Sequence, residues 1–131
     1  MADASIRKKP RPVNLDLSTI RLPLPGFVSI LHRVSGAGLF LMLPVLLWMF
    51  QSSLTSQETF EAFRGFASHF VVKLLFLGLI WAYAHHFCAG IRFLLLDMHM
   101  GIELEAARFS SKLVLAISIP LALLVWGVFV W

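Results

Sequence analysis

Charged residues are scarce in this chain. Only 14% of its 131 residues are charged and 59% are hydrophobic, whereas soluble domains are about 25% charged and about 45–50% apolar. A soluble domain of this size buries only about two-thirds of its surface when it folds, which is too little to hide so much apolar area. The composition therefore excludes a soluble globular protein and indicates an integral membrane protein.

Cysteine is almost absent. Cys88 is the single cysteine, which excludes an intrachain disulfide and a metal site built from paired cysteines. We expect Cys88 to act as a small apolar residue within a helix. We expect no cleavable signal either, because the basic start of the chain leads into Pro10, Pro12, Asn14 and Asp16 instead of an apolar core.

Three stretches are long and apolar enough to cross a bilayer, which takes about 20 mostly apolar residues in a helix. They are residues 29–51, 66–96 and 113–131, separated by predicted loops at 52–65 and 97–112. The predicted fold class is therefore all-α, an integral membrane protein whose three transmembrane helices form part of a heteromeric helical bundle.

Basic residues indicate the orientation of these spans. Arg108 and Lys112 lie in the second loop, and five basic residues precede the first span: Arg7, Lys8, Lys9, Arg11 and Arg21. Because cytoplasmic loops are enriched in Lys and Arg, residues 1–25 are predicted to be a cytoplasmic segment. Residues 26–131 then form the transmembrane domain, whose C-terminus lies on the opposite side. A basic N-terminus also occurs in nucleic-acid-binding proteins, but in a membrane protein we expect no nucleic-acid partner.

The second span contains ionisable residues, His85, His86 and Arg92. Such residues are costly in a membrane and by default mark a functional site, and histidine is a common haem ligand. The helical stripe through His86 carries only small residues at four-residue spacing, Gly78, Ala82 and Gly90, so another helix or a flat macrocycle can approach closely. We therefore predict His86 as a haem-iron ligand and give His85 no role. The alternative is a histidine that hydrogen-bonds across a helix interface.

The depth of His86 predicts a partner chain. His86 lies eleven residues before Asp97, so about 16 Å below that membrane face. The first span reaches this depth near Phe40, His32 is about 12 Å nearer the surface, and the third span has no histidine. A second axial imidazole must therefore come from another chain, with the haem at the subunit boundary.

The start of the first span is polar. Ser29 and Arg33 are four residues apart and share a helical face, and His32 flanks that face. A hydroxyl and a guanidinium at this depth can hydrogen-bond a quinone carbonyl, and Arg33 or His32 can pair with haem propionates. The alternative is a positively charged anchor at the helix end. Arg92 and Asp97 can likewise be an interfacial ion pair and nothing more.

Three segments resemble the cytochrome b subunit of succinate dehydrogenase: Arg11–Leu17 (RPVNLDL), Ser29–Ser35 (SILHRVS) and His86–Asp97 (HFCAGIRFLLLD). The resemblance extends from Arg11 through the third span. It implies one of two small three-helix anchors that hold a flavoprotein and an iron–sulfur subunit at the cytoplasmic face of a bacterial inner membrane. It further implies one haem b shared with the second anchor, and transfer of electrons from succinate oxidation to ubiquinone.

The resemblance also implies roles for particular residues. His86 falls on the family's haem-ligating histidine, and the second anchor supplies the other axial ligand. Ser29 and Arg33 fall on the quinone site, while His32, Arg33 and Arg92 are expected at or near the haem propionates. Many members have a histidine directly after that last arginine, where this chain has Phe93, so no propionate role is carried over to position 93.

Other functions remain open at this point. A fumarate reductase anchor would run the same chemistry backwards with menaquinol, and one candidate ligand at mid-depth favours a single shared haem over the none or two common in such anchors. A purely structural anchor would have no visible spectrum. A proton-relay subunit using His85, His86 and Arg92 would need a polar path, but residues between Lys73 and His85 are apolar.

Overall fold

The computed structural model describes residues 20–130, so the motif Arg11–Leu17, most of the predicted cytoplasmic segment and Trp131 lie outside the described residues. The described chain contains no strand. Its secondary structure consists of four helices, α1 (Leu24–Thr55), α2 (Gln57–Ser68), α3 (Phe70–Asp97) and α4 (Leu104–Phe129).

Three of these helices can cross a membrane. By length and composition α1, α3 and α4 qualify, with 32, 28 and 26 residues, while α2 is too short. Even the shortest of them extends about 39 Å at 1.5 Å per residue, which exceeds a hydrocarbon core of about 30 Å. Many of the large apolar side chains of these helices are exposed in the isolated chain, as expected where lipid or another subunit covers the helices. The all-α class with three spans is confirmed.

The first predicted loop, residues 52–65, is largely helical, so that prediction is wrong. A capping box starts α2: the Thr59 backbone N–H donates to Ser56 Oγ at 3.2 Å, and the Ser56 backbone N–H donates to Thr59 Oγ1 at 3.1 Å. Such reciprocal bonds satisfy two donors that a helix start leaves unpaired. His69 is extended (φ −62°, ψ 135°) and separates α2 from α3, so α3 starts at Phe70 and not at residue 66.

The second predicted loop, residues 97–112, is also shorter in the structure. It includes a turn with positive φ at His99 (61°) and Gly101 (73°), and α4 already begins at Leu104. The spans were predicted from the length of each apolar stretch, which does not have to match the length of the helix. Charged residues such as Arg108 and Lys112 end a hydrophobic span but continue a helix.

Helix α3 packs against both α1 and α4, which also contact each other. Val28 of α1, Ala89 of α3 and Val114 of α4 form the buried core where the three helices meet. Two hydrogen bonds join α3 to α4 near opposite ends: Arg92 Nε donates to Ser110 Oγ at 3.0 Å, and Trp126 Nε1 donates to the Lys73 carbonyl at 2.7 Å. The residues singled out from the sequence lie toward the end of the bundle where α1 and α4 begin and α3 finishes.

Candidate functional site

The His86 ring of α3 stacks on the His32 ring of α1. The ring centroids are 4.1 Å apart and the planes differ by 8°. The Phe93 ring, two turns after His86 on α3, packs against His32 at 5.0 Å. The sequence places His32 and His86 at different depths, but the packing of α1 on α3 brings their side chains into contact.

Two groups of α1 contact the Nδ1 atom of His86. The His32 carbonyl oxygen is 3.0 Å away and Ser35 Oγ is 3.3 Å away. A carbonyl oxygen only accepts hydrogen bonds, so Nδ1 must carry a proton, and in the neutral imidazole Nε2 then keeps its lone pair. No described residue is hydrogen-bonded to Nε2. This is the tautomer that a histidine needs to bind a metal through Nε2.

Gly36 allows the close approach of this ring. A Cβ atom at Gly36 would lie 2.6 Å from Cε1 and 3.1 Å from Nδ1 of His86, distances that no side chain at position 36 could keep. The small residues that the sequence singles out lie on α3 instead, where Gly90 faces His32 and Gly78 has open space around it. Glycine in an apolar helix often indicates close helix packing, and that signal was present in the sequence at Gly36.

His86 also borders a cavity of about 490 Å³ between α1 and α3. The other lining side chains are apolar or aromatic: Leu39, Phe40, Leu43, Leu46, Tyr83 and Phe87. The volume is in the range of small-molecule and cofactor sites, which are mostly apolar with a few polar groups. One imidazole in an apolar wall is therefore suited to a flat apolar group that needs a nitrogen ligand.

His85 is not part of this cavity. Its side chain is 0% exposed, and neither ring nitrogen has a hydrogen-bond partner among the described residues. The ring packs against Trp81, with centroids 5.4 Å apart. The two adjacent histidines thus differ: His85 is buried inside the three-helix core, whereas His86 lines the cavity.

Ser29 and Arg33 lie together on the turn of α1 that also carries His32. Arg33 Nη2 donates to Ser29 Oγ at 3.1 Å, and Arg33 Nε lies 3.4 Å from the Ser29 carbonyl oxygen. Arg33 is exposed and Ser29 is half-buried. Because the Ser29 oxygen accepts from Arg33, its own hydroxyl hydrogen remains available to donate to a ligand.

Arg92 is turned toward α4. It is 6% exposed; Nε donates to Ser110 Oγ at 3.0 Å, and Nη2 lies 3.5 Å from the Ala107 carbonyl oxygen. No ion pair joins Arg92 to Asp97 in the described part of the chain, so that alternative from the sequence is wrong. Arg92 therefore connects α3 to α4. It is not hydrogen-bonded to His32 or Arg33 of α1 among the described residues.

Three helices able to span a membrane, with histidine and arginine side chains toward one end of the bundle, define a multi-pass membrane protein with a polar cluster among its helices. A family model described as succinate dehydrogenase/fumarate reductase transmembrane subunit matches residues 7–125. The chain belongs to this family.

Individual relatives carry a more specific name. The chain is 31% identical over 126 residues to the succinate dehydrogenase cytochrome b556 subunit of Paracoccus denitrificans, which covers 96% of this chain and 97% of that one. It is 33% identical over 122 residues to the subunit of the same name from Coxiella burnetii, covering 92% and 97% of the two chains. The cytochrome b560 subunit of Reclinomonas americana is 25% identical over 125 residues. These matches confirm the resemblance to the cytochrome b subunit of succinate dehydrogenase.

Proposed function

We propose that this chain is the haem b-binding membrane anchor of a succinate dehydrogenase and that it contributes to the site where ubiquinone is reduced. The observation that carries the proposal is the hydrogen bond from His86 Nδ1 to the His32 carbonyl oxygen at 3.0 Å. It holds the proton on Nδ1 and leaves Nε2 able to bind iron beside an apolar cavity. When bound, haem b supplies one-electron redox chemistry whose potential the axial ligands tune.

The second axial ligand is proposed to come from a partner subunit. His32 is the histidine nearest His86, yet its ring is stacked on that of His86 at 4.1 Å. Because its ring lies face to face with that of His86, His32 would not be placed to supply a second ligand to the same iron. His85 is buried away from the cavity. This geometry supports the proposal of one haem shared with a second anchor subunit.

Ubiquinone is proposed to bind at Ser29 and Arg33. The Ser29 hydroxyl, already an acceptor for Arg33 Nη2, can donate its hydrogen to a quinone carbonyl. The Arg33 guanidinium stabilises the negative charge that develops on that oxygen as the quinone is reduced. His32 lies in the same turn of α1 and, with Arg33, is the proposed contact for haem propionates. Arg92 is proposed to lie near the haem propionates, although its Nε already donates a hydrogen bond to Ser110 of α4.

The proposed assembly places the soluble subunits at the end of the bundle that carries Ser29 and Arg33. The flavoprotein and iron–sulfur subunits would lie on the cytoplasmic face of a bacterial inner membrane, next to Ser29 and Arg33. Residues 1–25 would form the cytoplasmic segment, and residues 26–131 the transmembrane domain with a periplasmic C-terminus. Membrane lipid and the second anchor would cover the exposed apolar faces. The chain alone would have no catalytic activity, because the flavin and the iron–sulfur clusters are proposed to lie in other subunits.

Purification of the intact complex through a tag on this chain tests the proposal. We expect a flavoprotein, an iron–sulfur subunit and a second small membrane subunit to co-purify, with a b-type spectrum after reduction, one haem per flavin, and succinate–ubiquinone reductase activity. A complex without haem would instead support a purely structural anchor. Faster fumarate reduction with menaquinol would support a fumarate reductase anchor, the second candidate that the family description includes.

Replacing Arg33 with alanine should lower quinone reduction in that complex. Removing one charge-stabilising donor typically costs on the order of 100-fold or more in rate, whereas the flavin lies in another subunit. We therefore expect ubiquinone reductase activity to collapse while succinate-dependent reduction of a water-soluble dye persists. Arg64→Ala, at an exposed arginine of α2, is the matched control and should leave both activities unchanged. Equal loss of both activities in Arg33→Ala would contradict the assignment.

A further inference from the structure

We infer that Ser35 is a positioning residue for His86: its hydroxyl oxygen is a second acceptor for the Nδ1 proton and helps to hold the imidazole in one orientation. The inference rests on the proposed function, because it takes His86 as the iron ligand. It adds a residue that acts on the ligand from the neighbouring helix and does not itself touch the haem iron.

Three atoms contact one another pairwise: His86 Nδ1, Ser35 Oγ and the His32 carbonyl oxygen. Ser35 Oγ donates to the His32 carbonyl oxygen at 2.9 Å. The same carbonyl is 3.0 Å from His86 Nδ1, and Ser35 Oγ is 3.3 Å from it. Since the carbonyl can only accept, Nδ1 donates to it. The Ser35 hydrogen is directed to the carbonyl as well, so the Ser35 oxygen can only accept from Nδ1. One arrangement of protons satisfies all three contacts.

Ser35 supplies a constraint that the carbonyl alone does not. The His32 carbonyl lies inside α1, where it also accepts the helical N–H four residues later, so it is a shared acceptor. The terminal torsion of a histidine side chain has broad energy minima. The stacked His32 ring and Gly36 limit the plane of the His86 ring, and hydrogen bonds at Nδ1 restrain its rotation further. Ser35 adds a second acceptor at the same nitrogen. Its side chain is buried, with 7% exposed, so water has little access to this contact.

Such a contact affects how strongly His86 binds a metal. Hydrogen bonds to the second ring nitrogen of a ligating histidine fix the orientation of the ring and raise its basicity. The basicity and orientation of axial ligands are among the factors that set haem potentials. Loss of the Ser35 hydroxyl should therefore weaken the donor strength of Nε2, raise the haem midpoint potential, and change the ring orientation.

The chain offers a matched control for this hydroxyl. Ser53 Oγ donates to the Phe50 carbonyl oxygen at 2.7 Å, which is the same bond to a carbonyl three residues earlier, on the same helix. Among the described residues, no hydrogen bond joins Ser53 to a histidine. Ser53→Ala therefore removes an equivalent hydroxyl from α1 without changing the surroundings of His86, and Ser35→Thr keeps the hydroxyl at position 35.

The experiment measures the haem midpoint potential and the electron paramagnetic resonance g values of the oxidised haem in the purified complex. We expect Ser35→Ala to shift both, with the potential moving upward, while Ser53→Ala and Ser35→Thr match the wild-type protein. Wild-type potential and g values in Ser35→Ala would overturn the inference. An equal shift in Ser35→Thr would also overturn it, because side-chain shape and not the hydroxyl would then be responsible.

The two levels of the proposal can fail separately. If His86→Leu retains the b-type spectrum, the ligand assignment itself fails. If His86→Leu loses the spectrum but Ser35→Ala is unchanged, only the role of Ser35 fails. Should Ser35→Ala not assemble, Ser35→Thr decides the question: wild-type g values support the hydroxyl, and shifted g values contradict it.

Discussion

Replacing His86 with leucine should abolish the b-type spectrum of the assembled complex. Nε2 is the ring nitrogen without a hydrogen-bond partner among the described residues, and it lies on the side chain that borders the cavity between α1 and α3. Leucine has a similar volume and no ligand atom, so the cavity should keep its size and lose its iron-binding group. The measurement is the reduced-minus-oxidised absorption spectrum of the purified complex, with flavin content as the check on assembly.

His85→Leu is the matched control for this substitution. It makes the same change one residue earlier on the same helix, at a side chain that is fully buried and whose ring nitrogens lack partners among the described residues. Replacing an unpaired buried polar group with an apolar one is often neutral or stabilising, so this variant should keep its haem. The opposite pattern, with haem lost from His85→Leu and kept in His86→Leu, would exchange the two assignments.

Adding a single methyl group at Gly36 should have the second largest effect. The new Cβ in Gly36→Ala would lie 2.6 Å from Cε1 of His86, so either the ring or the spacing of α1 and α3 must change. Overpacking of this kind costs about 1–3 kcal/mol, which corresponds to roughly 5- to 150-fold in an equilibrium constant. We expect most complexes to lose haem, as measured by haem content per flavin.

Gly38→Ala provides the comparison on the same helix. A Cβ at Gly38 would meet nothing within 4 Å, and alanine stabilises a helix relative to glycine by about 0.5–1 kcal/mol. Haem content should therefore stay at the wild-type level in this variant. Equal haem contents in Gly36→Ala and Gly38→Ala would show that the close contact at Gly36 does not matter for the site.

Hydropathy alone predicted the three spanning helices, because the cost of burying charge in a bilayer dominates every other sequence signal. It could not predict α2, whose charged residues resemble a loop, although the capping pair Ser56 and Thr59 indicates a helix start. For the same reason it placed the start of α4 at residue 113 instead of Leu104. A hydrophobic span ends at the membrane surface, whereas a helix can continue into water.

The candidate site was only partly predictable. The small-residue stripe on α3 distinguished His86 from His85, and the four-residue spacing placed Ser29 and Arg33 on one helical face, where the structure shows a hydrogen bond between them. Ser35 and Gly36 were missed as neighbours of His86 because they are about 50 residues away along the chain. Their contact depends on how α1 packs against α3, and one sequence without related sequences carries little information about that packing.

The location of Ser29, His32, Arg33, Ser35 and Gly36 within about two turns of α1 constrains how this stretch can change. Each inserted residue rotates everything after it by about 100°. An insertion between Arg33 and Ser35 would turn the hydroxyl and the glycine away from α3 while the earlier turn stayed in place. Substitutions at the exposed positions Ile30 and Val34 preserve this alignment. The stretch can therefore vary in sequence on its outer side, but it cannot vary in length.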